Sequence, residues 1–337
     1  MVGGRIKVAV VGTGAWWGRE HARVLSARPD VELCAVVGRT RDRTEARAAA
    51  FDTRPYLDLD QMLERERPDL VSLCLPNEGH FEPTLAVIRA GVPLFVEKPL
   101  VFDLAQADLL LAEAAERSLF FAINFNHRWA RPVAMALAAI QAGELGRLTF
   151  ATWRFGGEPG TSAHPQANLI ETQCHGLDML EHLCGPIDSV MAQMTDPAGR
   201  GWSTMAVALH FAGGAVGSLV GSYDSSYAYP GTHLLEVNGL AGRLLIEDTV
   251  RRYTFTRAGS ETSSVWQAGY FNDVDREFHR TFDKHLDEVL AAFKAGGQPP
   301  VHARAGRRAL ALALAIERSF ESGTRVDTRP EVTGDRS

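Results

Sequence analysis

The sequence predicts an α/β protein in two parts: a doubly wound parallel sheet in the first 125 residues, then an α+β half with a large, mostly antiparallel open sheet. Three observations predict it. Up to about residue 125, short β-branched runs alternate with amphipathic helical stretches, the rhythm of βαβ units. Beyond that point strand-like runs follow one another with only turns between them, as antiparallel strands do. The length of 337 residues is enough for two cores.

In order, "KVAVVG" is the first strand and "GREHARVLSAR" the helix that follows it. "ELCAVVG" and "LVSLCLP" are buried strands, "HFEPTLAVIRAG" a helix, and "VPLFVEKP" and "LFFAINF" the last strands of this half. Residues 1–125 are therefore expected to form one domain. In 126–325 a helix, "PVAMALAAIQAGELG", precedes strands in "RLTFATWRF", "DSVMAQM", "TMAVALHF", "AVGSLVGSY", "HLLEVNG" and "GRLLIED". Two helices close this half, "DVDREFHRTFDKHLDEVLAAFKAG" and "ARAGRRALALALAIERSFESG", the first stopped by glycine and proline. The polar tail, 326–337, is expected to fray.

Composition excludes several classes. With 35 basic and 41 acidic residues, a formal charge of -6 and no basic stripe, nucleic acid is not an expected partner. The apolar run near the amino terminus is too short for a signal peptide, and no segment approaches the ~18 apolar residues of a membrane span. The expected location is the cytoplasm. Cys34, Cys74, Cys174 and Cys184 are scattered without metal-ligand spacing, which suits free thiols. Cys174 and His175 are neighbours, but adjacent helical residues point about 100° apart, so Cys174 reads as a buried thiol rather than a nucleophile.

"VAVVGTGAWWGREHAR" combines a strand, a glycine turn and a helix start. Gly12 permits a tight turn, Gly14 lets backbone approach a pyrophosphate, and the N–H groups of the new helix bind that anion. Thr13, Ala15, Trp16 and Trp17 complete the candidate dinucleotide-binding turn of a Rossmann domain. The third glycine of the pattern is displaced, with Trp17 in its place and Gly18 one residue later. The same stretch also reads as a plain structural turn. The second strand ends in "VVGRTRDR", with Gly38, Arg39 and Thr40 where an NAD-selective domain would carry an acid for the ribose. A guanidinium grips a 2′-phosphate that an acid would repel, so NADP is favoured over NAD, with Arg41 as reinforcement. Solvated surface charge is the alternative for both arginines.

Only four of the 35 basic residues are lysine, and one, Lys98, ends an apolar strand in "GVPLFVEKPLV". That position is the carboxyl edge of a parallel sheet, where α/β folds place ligands. Lysine can release a proton and arginine cannot, so Lys98 is a candidate catalytic group, an ion pair being the plainer reading. In "NLIETQCHGLDMLEHLCG", Glu171, His175, Asp178 and His182 are spaced 4, 3 and 4 and would share one stripe of a helix. A proton-handling site facing Lys98 across the domain crevice, a solvated or hydrogen-bonded stripe, and a metal site are the readings open. The last lacks any H-E-x-x-H or thiolate spacing, and no metal is expected.

Together these elements resemble the glucose-fructose oxidoreductase and inositol dehydrogenase family, Gfo/Idh/MocA, over nearly the whole chain. The likeness rests on "VVGTGAWWG", the run "DLVSLCLPNEGHFEPTLAVIRAGVPLFVEKPLV", "NFNHRW", the Glu/His helix and the closing "RALALALAIERSFESG". It implies that Lys98 lies by the nicotinamide and that His175 is the acid/base group. Glu171 and Asp178 would bind or orient substrate, with Arg128 and Trp129 near the crevice. Leu75, Pro76, Asn77, His80 and Glu97 would line the cofactor. Glu171 departs from the Asp of many members, and Trp16 or Trp17 is expected to pack over the cofactor. The implied reaction is hydride transfer to or from a hydroxyl- or keto-bearing carbon of a sugar or cyclic polyol. The alternatives are a non-catalytic NADP-binding ligand sensor and a redox-assisted lyase or glycosidase that retains its cofactor. An open sheet in the second half would expose an apolar face, so a homo-oligomer, dimer or tetramer, is expected.

Overall fold

A computed structural model describes residues 4–158, 164–199 and 201–329. The chain forms two compact units, one running to Asn124 and including His285–Leu310, the other Phe125–Lys284 with the chain from Ala311 onward. The division by sequence places residues 285–310 with the second half, whereas their contacts place them with the first.

In the first unit β1 (Ile6–Val11), α1 (Trp17–Ser26), β2 (Val31–Val37), α2 (Arg41–Ala50), β3 (Arg54–Tyr56) and α3 (Leu59–Glu66) precede β4 (Leu70–Leu73). Then come α4 (Phe81–Arg89), β5 (Leu94–Val96), α5 (Leu104–Glu116) and β6 (Phe121–Ile123). The strands form one parallel sheet in the order β3-β2-β1-β4-β5-β6. β1, β2, β4, β5 and β6 are almost wholly buried, which is why they read as unbroken apolar runs rather than alternating ones. Four elements were not read from the sequence. β3 has three residues, and α2, "RDRTEARAAA", buries only Thr44 and Ala48, so neither carries a strong period. The third and fourth are α3 and α5, whose starts the sequence does mark: Asp58 and Asp103 cap them, accepting from the N–H groups of Gln61 and Gln106. After β6 the isolated bridge between Ala122 and His302 ties the returning segment to this sheet.

The chain turns back between β3 and β4, which lies beside β1, so the strand order reverses at the β1/β4 junction. Backbone bonds from Cys74 to Val11, Glu97 to Leu73 and Asn124 to Val96, each 2.8–2.9 Å, carry the pairing one residue past the strand ends. Gly12, Cys74, Glu97 and Asn124 therefore stand in a row along the carboxyl edge.

The second unit holds α6 (Arg131–Gln141), β7 (Leu148–Gly156), a π-helical turn (Asn168–Thr172), α7 (Cys174–Cys184), β8 (Ile187–Thr195), β9 (Thr204–Phe211) and β10 (Val216–Ser222). It continues through β11 (His233–Gly239), β12 (Gly242–Glu247), β13 (Arg252–Arg257), β14 (Ser263–Gln267) and the short α8 (Asp273–Arg276). The long helices α9 (His279–Lys294) and α10 (Arg304–Ser322) lie partly in each unit, and β15 (Val326–Asp327) returns to the second. Nine strands form one sheet, β14-β13-β12-β11-β7-β10-β9-β8-β15, antiparallel except where β7 meets β10. The tail is thus not frayed from its start: Val326 pairs with Val190, and Thr328 N–H donates to the Asp188 carbonyl at 2.7 Å. Buried Trp153, Phe155, Val207, Leu209, Phe211, Leu219, Leu235 and Val237 make the inner face of the sheet.

Candidate active site

The glycine turn after β1 is built from contacts that exclude side chains. Gly12 has φ +130°, and a Cβ there would overlap the Cys74 carbonyl. At Gly14 nothing lies within 4 Å of where a Cβ would stand, so its backbone is open to an incoming group. Gly18, in the first turn of α1, is buried with its Cβ position 2.6 Å from the Gly12 carbonyl oxygen. It does the helix-to-strand packing that the pattern assigns to its third glycine, one residue later than expected, and half-buried Trp17 becomes the first residue of the helix. Trp16 and Ala15 are exposed beside it. The open lip at Gly14 and the positive end of the α1 dipole fit a pyrophosphate. Arg47, which the sequence reading missed, donates to the Gly14 carbonyl at 3.0 Å.

At the end of β2 a Cβ on Gly38 would overlap the hydroxyls of Thr13 and Thr44, so no acid fits at that position without displacing both. Arg39 and Thr40 are exposed; the Thr40 carbonyl accepts from the Thr44 hydroxyl at 2.8 Å and begins α2. Arg41 pairs with Glu45 at 3.2 Å on the same exposed helix face.

Along the carboxyl edge, Leu75, Pro76 and Asn77 form a partly exposed loop. His80 is buried behind it, its Nδ1 2.8 Å from the Pro99 carbonyl and its Nε2 2.9 Å from the Leu75 carbonyl. Burial pushes this imidazole's pKa down, although both carbonyls favour added protons. Its ring therefore braces the loop against the cis Lys98–Pro99 bond. Glu97 turns inward. Its Oε1 accepts from His21 Nε2 at 3.0 Å and Asn124 Nδ2 at 2.6 Å, and Asn124 Oδ1 accepts from His285 Nδ1 at 2.9 Å. His21 Nδ1 shares a 2.7 Å hydrogen bond with Ser72. Burial raises the Glu97 pKa, but these donors and the charges of His21 and Lys98 outweigh it and hold the carboxyl below its usual range. An ionised carboxylate thus sits under the strand end that bears Lys98, which is half-buried. Elsewhere Lys7 pairs with Glu66, Lys284 with Asp275 and Lys294 with Asp30.

In the second unit the expected helical stripe is interrupted. Gln173 N–H reaches back five residues to the Asn168 carbonyl at 2.9 Å, so buried Glu171 lies in a π turn and α7 begins only at Cys174. The turn is held by Asn168 Nδ2 on the Ser203 carbonyl, 2.7 Å, and by a 2.6 Å bond between Thr172 and Tyr223. Gly176 lets α7 close on β7: a Cβ there would overlap the Trp153 indole, whose Nε1 donates to Gln173 at 3.2 Å. His175 and Asp178 are buried on this helix. Arg128, in the 3-10 turn Asn126–Trp129, grips Asp178 with two bonds of 2.6 and 2.9 Å. Burial pushes the Asp178 pKa up and the guanidinium pulls it back; the two-pronged geometry is that of a carboxylate. Arg128 and Asp178, both expected to face substrate, are therefore partners of each other. Trp129 follows, half-buried. Burial and the charge of Arg128 push His182 down to about 4. The Cys174 thiol donates to the Glu171 carbonyl, and burial pushes Cys34 and Cys184 up to about 12, so these thiols are structural. Among the described residues no group of three or more His, Cys, Asp or Glu is placed to hold a metal ion, and no helix is long and apolar enough to cross a membrane.

A parallel sheet in this order, with a glycine turn at its reversal and a lysine on its carboxyl edge, defines a Rossmann-type oxidoreductase. Residues 6–125 match the family model for an oxidoreductase family with NAD-binding Rossmann fold, and residues 139–328 match that family's C-terminal alpha/beta domain. The chain belongs to the Gfo/Idh/MocA oxidoreductase family. It is 26% identical over 331 residues to myo-inositol 2-dehydrogenase of Thermotoga maritima, covering 94% of this chain and 96% of that protein. It is 25% identical to scyllo-inositol 2-dehydrogenase (NAD(+)) of Bacillus subtilis, covering 98% and 99%. Among solved structures, levoglucosan dehydrogenase in complex with NADH and levoglucosan superposes with a TM-score of 0.87 at 18% identity, covering 97% of this chain and all of that one.

Proposed function

We propose that this chain is an NADP-preferring dehydrogenase or ketoreductase that transfers hydride at a hydroxyl- or keto-bearing carbon of a sugar or cyclic polyol. The observation that carries the reading is a half-buried lysine at the carboxyl edge of a parallel sheet whose neighbouring glycine turn fits a pyrophosphate. When bound, the nicotinamide supplies or takes the hydride. Lys98 donates a hydrogen bond to the substrate oxygen as alkoxide charge develops, and Glu97, braced by His21 and Asn124, orients the strand end that carries it. His175 takes the hydroxyl proton in oxidation and returns it in reduction. Glu171 and Trp129 contact the substrate directly, whereas Arg128 and Asp178 hold each other in place beside it. The preference for NADP rests on Gly38, which has no room for an acid, and on exposed Arg39. Two of the similar proteins carry NAD in their names or complexes, so this preference would set the present chain apart from them.

The test is absorbance of the reduced nicotinamide over a panel of inositols, aldoses and keto-sugars with each cofactor. Steady reduction of NADP+ by at least one polyol, faster than of NAD+, is expected. Tight NADPH binding with no turnover on any member would favour a ligand sensor instead, a role that has no use for Lys98 and His175. We further propose self-association through the outer sheet face, where Met191, Ala206, Ala208, Val216 and Val220 are exposed in cross-strand register. Light scattering on Val220→Lys should show a smaller particle than the wild type.

A further inference from the structure

We propose that His127 is a positioning residue for His175, the two rings forming a coupled pair that accepts one positive charge at most and so keeps His175 available as a base. The inference rests on the reading of His175 as the acid/base group. His127 lies in the 3-10 turn Asn126–Trp129, and its ring is stacked on that of His175 with centroids 4.0 Å apart and planes 17° from parallel. Both rings are buried. Phe278 and Phe155 stand nearly perpendicular to His127, with centroids at 5.1 and 6.3 Å, and Phe125 stands so to His175 at 5.9 Å. An apolar surround of this kind screens charge weakly, so a proton on one ring strongly opposes a proton on its neighbour. Two such groups titrate as a unit, in separated steps that belong to the pair.

The packed elements also bring charged and titratable groups. From the 3-10 turn, Arg128 is neutralised by Asp178 of α7. From the π turn comes buried Glu171, and from β11 His233, which lines a small cavity with His127, Trp153, Met179 and Thr249. Beside Phe278 stands His279.

The experiment is an NMR titration of the histidine Cε1–H signals in the full-length protein, comparing wild type with His127→Phe and His127→Gln. His127→Phe keeps an aromatic ring and the burial but removes the competing charge, and a cation also favours the aromatic face. The His175 midpoint should rise by about one pH unit in that variant, and a broad or two-step wild-type curve should become a single step. His127→Gln should shift it the same way by less, and gives the answer if His127→Phe does not fold. An unchanged His175 midpoint in the folded variants would mean that the neighbouring ring does not set its titration, and would overturn the coupling while leaving the base reading intact. Wild-type turnover by His175→Asn would overturn the base reading itself, and with it the purpose of the pair.

Discussion

Lys98 illustrates how far single residues speak. Its rarity and its place at a strand end were visible in the chain, but the inward turn of Glu97 onto His21 and Asn124 was not, because residues 21, 97 and 124 meet only when α1 packs over the ends of β5 and β6. Lys98→Ala and His175→Ala should each lower kcat by about 10²–10⁴-fold while NADPH affinity, read by fluorescence, changes only a few-fold. Wild-type kcat in both would reject the assigned roles. Arg39 has a separate job in this reading. Loss of its charge-assisted hydrogen bonds in Arg39→Ala should weaken NADP by roughly 10–100-fold and NAD by much less. Equal losses for the two cofactors would show that Arg39 is surface charge.

Elements depend on single glycines wherever two of them close together. The period of α7 was legible, but the π turn ahead of it was not, since one inserted residue keeps the apolar pattern and shifts only the register. Gly176 shows the closeness of fit, with no space for a methyl group against Trp153. Gly176→Ala should destabilise the protein by about 1–3 kcal/mol through overpacking and alter Trp153 fluorescence, whereas Gly213→Ala, in open space, should leave the melting temperature nearly unchanged. Equal melting curves for the two variants would show that the α7–β7 seam relaxes freely.

For the molecule as a whole, half-buried histidines held neutral set the response to acid. Burial pushes His233 down to about 3, and His182 lies near 4. Both are well below the ~6.5 of an unfolded histidine. Their folded pKa values are depressed, so below about pH 6.5 the unfolded chain binds protons that the folded one refuses, and stability falls as pH drops toward those values. His233→Gln should therefore lose about 1–2 kcal/mol less than wild type between pH 7 and pH 5, measured by urea unfolding. Parallel losses in the two proteins would show that His233 is not held neutral.

The amino-acid sequence by itself determined the two-part α/β organisation, the first sheet's buried strands, the glycine turn, Lys98 and the helix that carries His175 and Asp178. Each of these is written in runs, periods and motifs between near neighbours. Only the tertiary structure decided that Gly18 serves as the third glycine, that Arg128 answers Asp178, that residues 285–310 belong with the first sheet, and that His127 lies flat on His175. Those are contacts between residues tens to hundreds of positions apart, or one-residue shifts of register, and packing selects them after the local pattern has been satisfied.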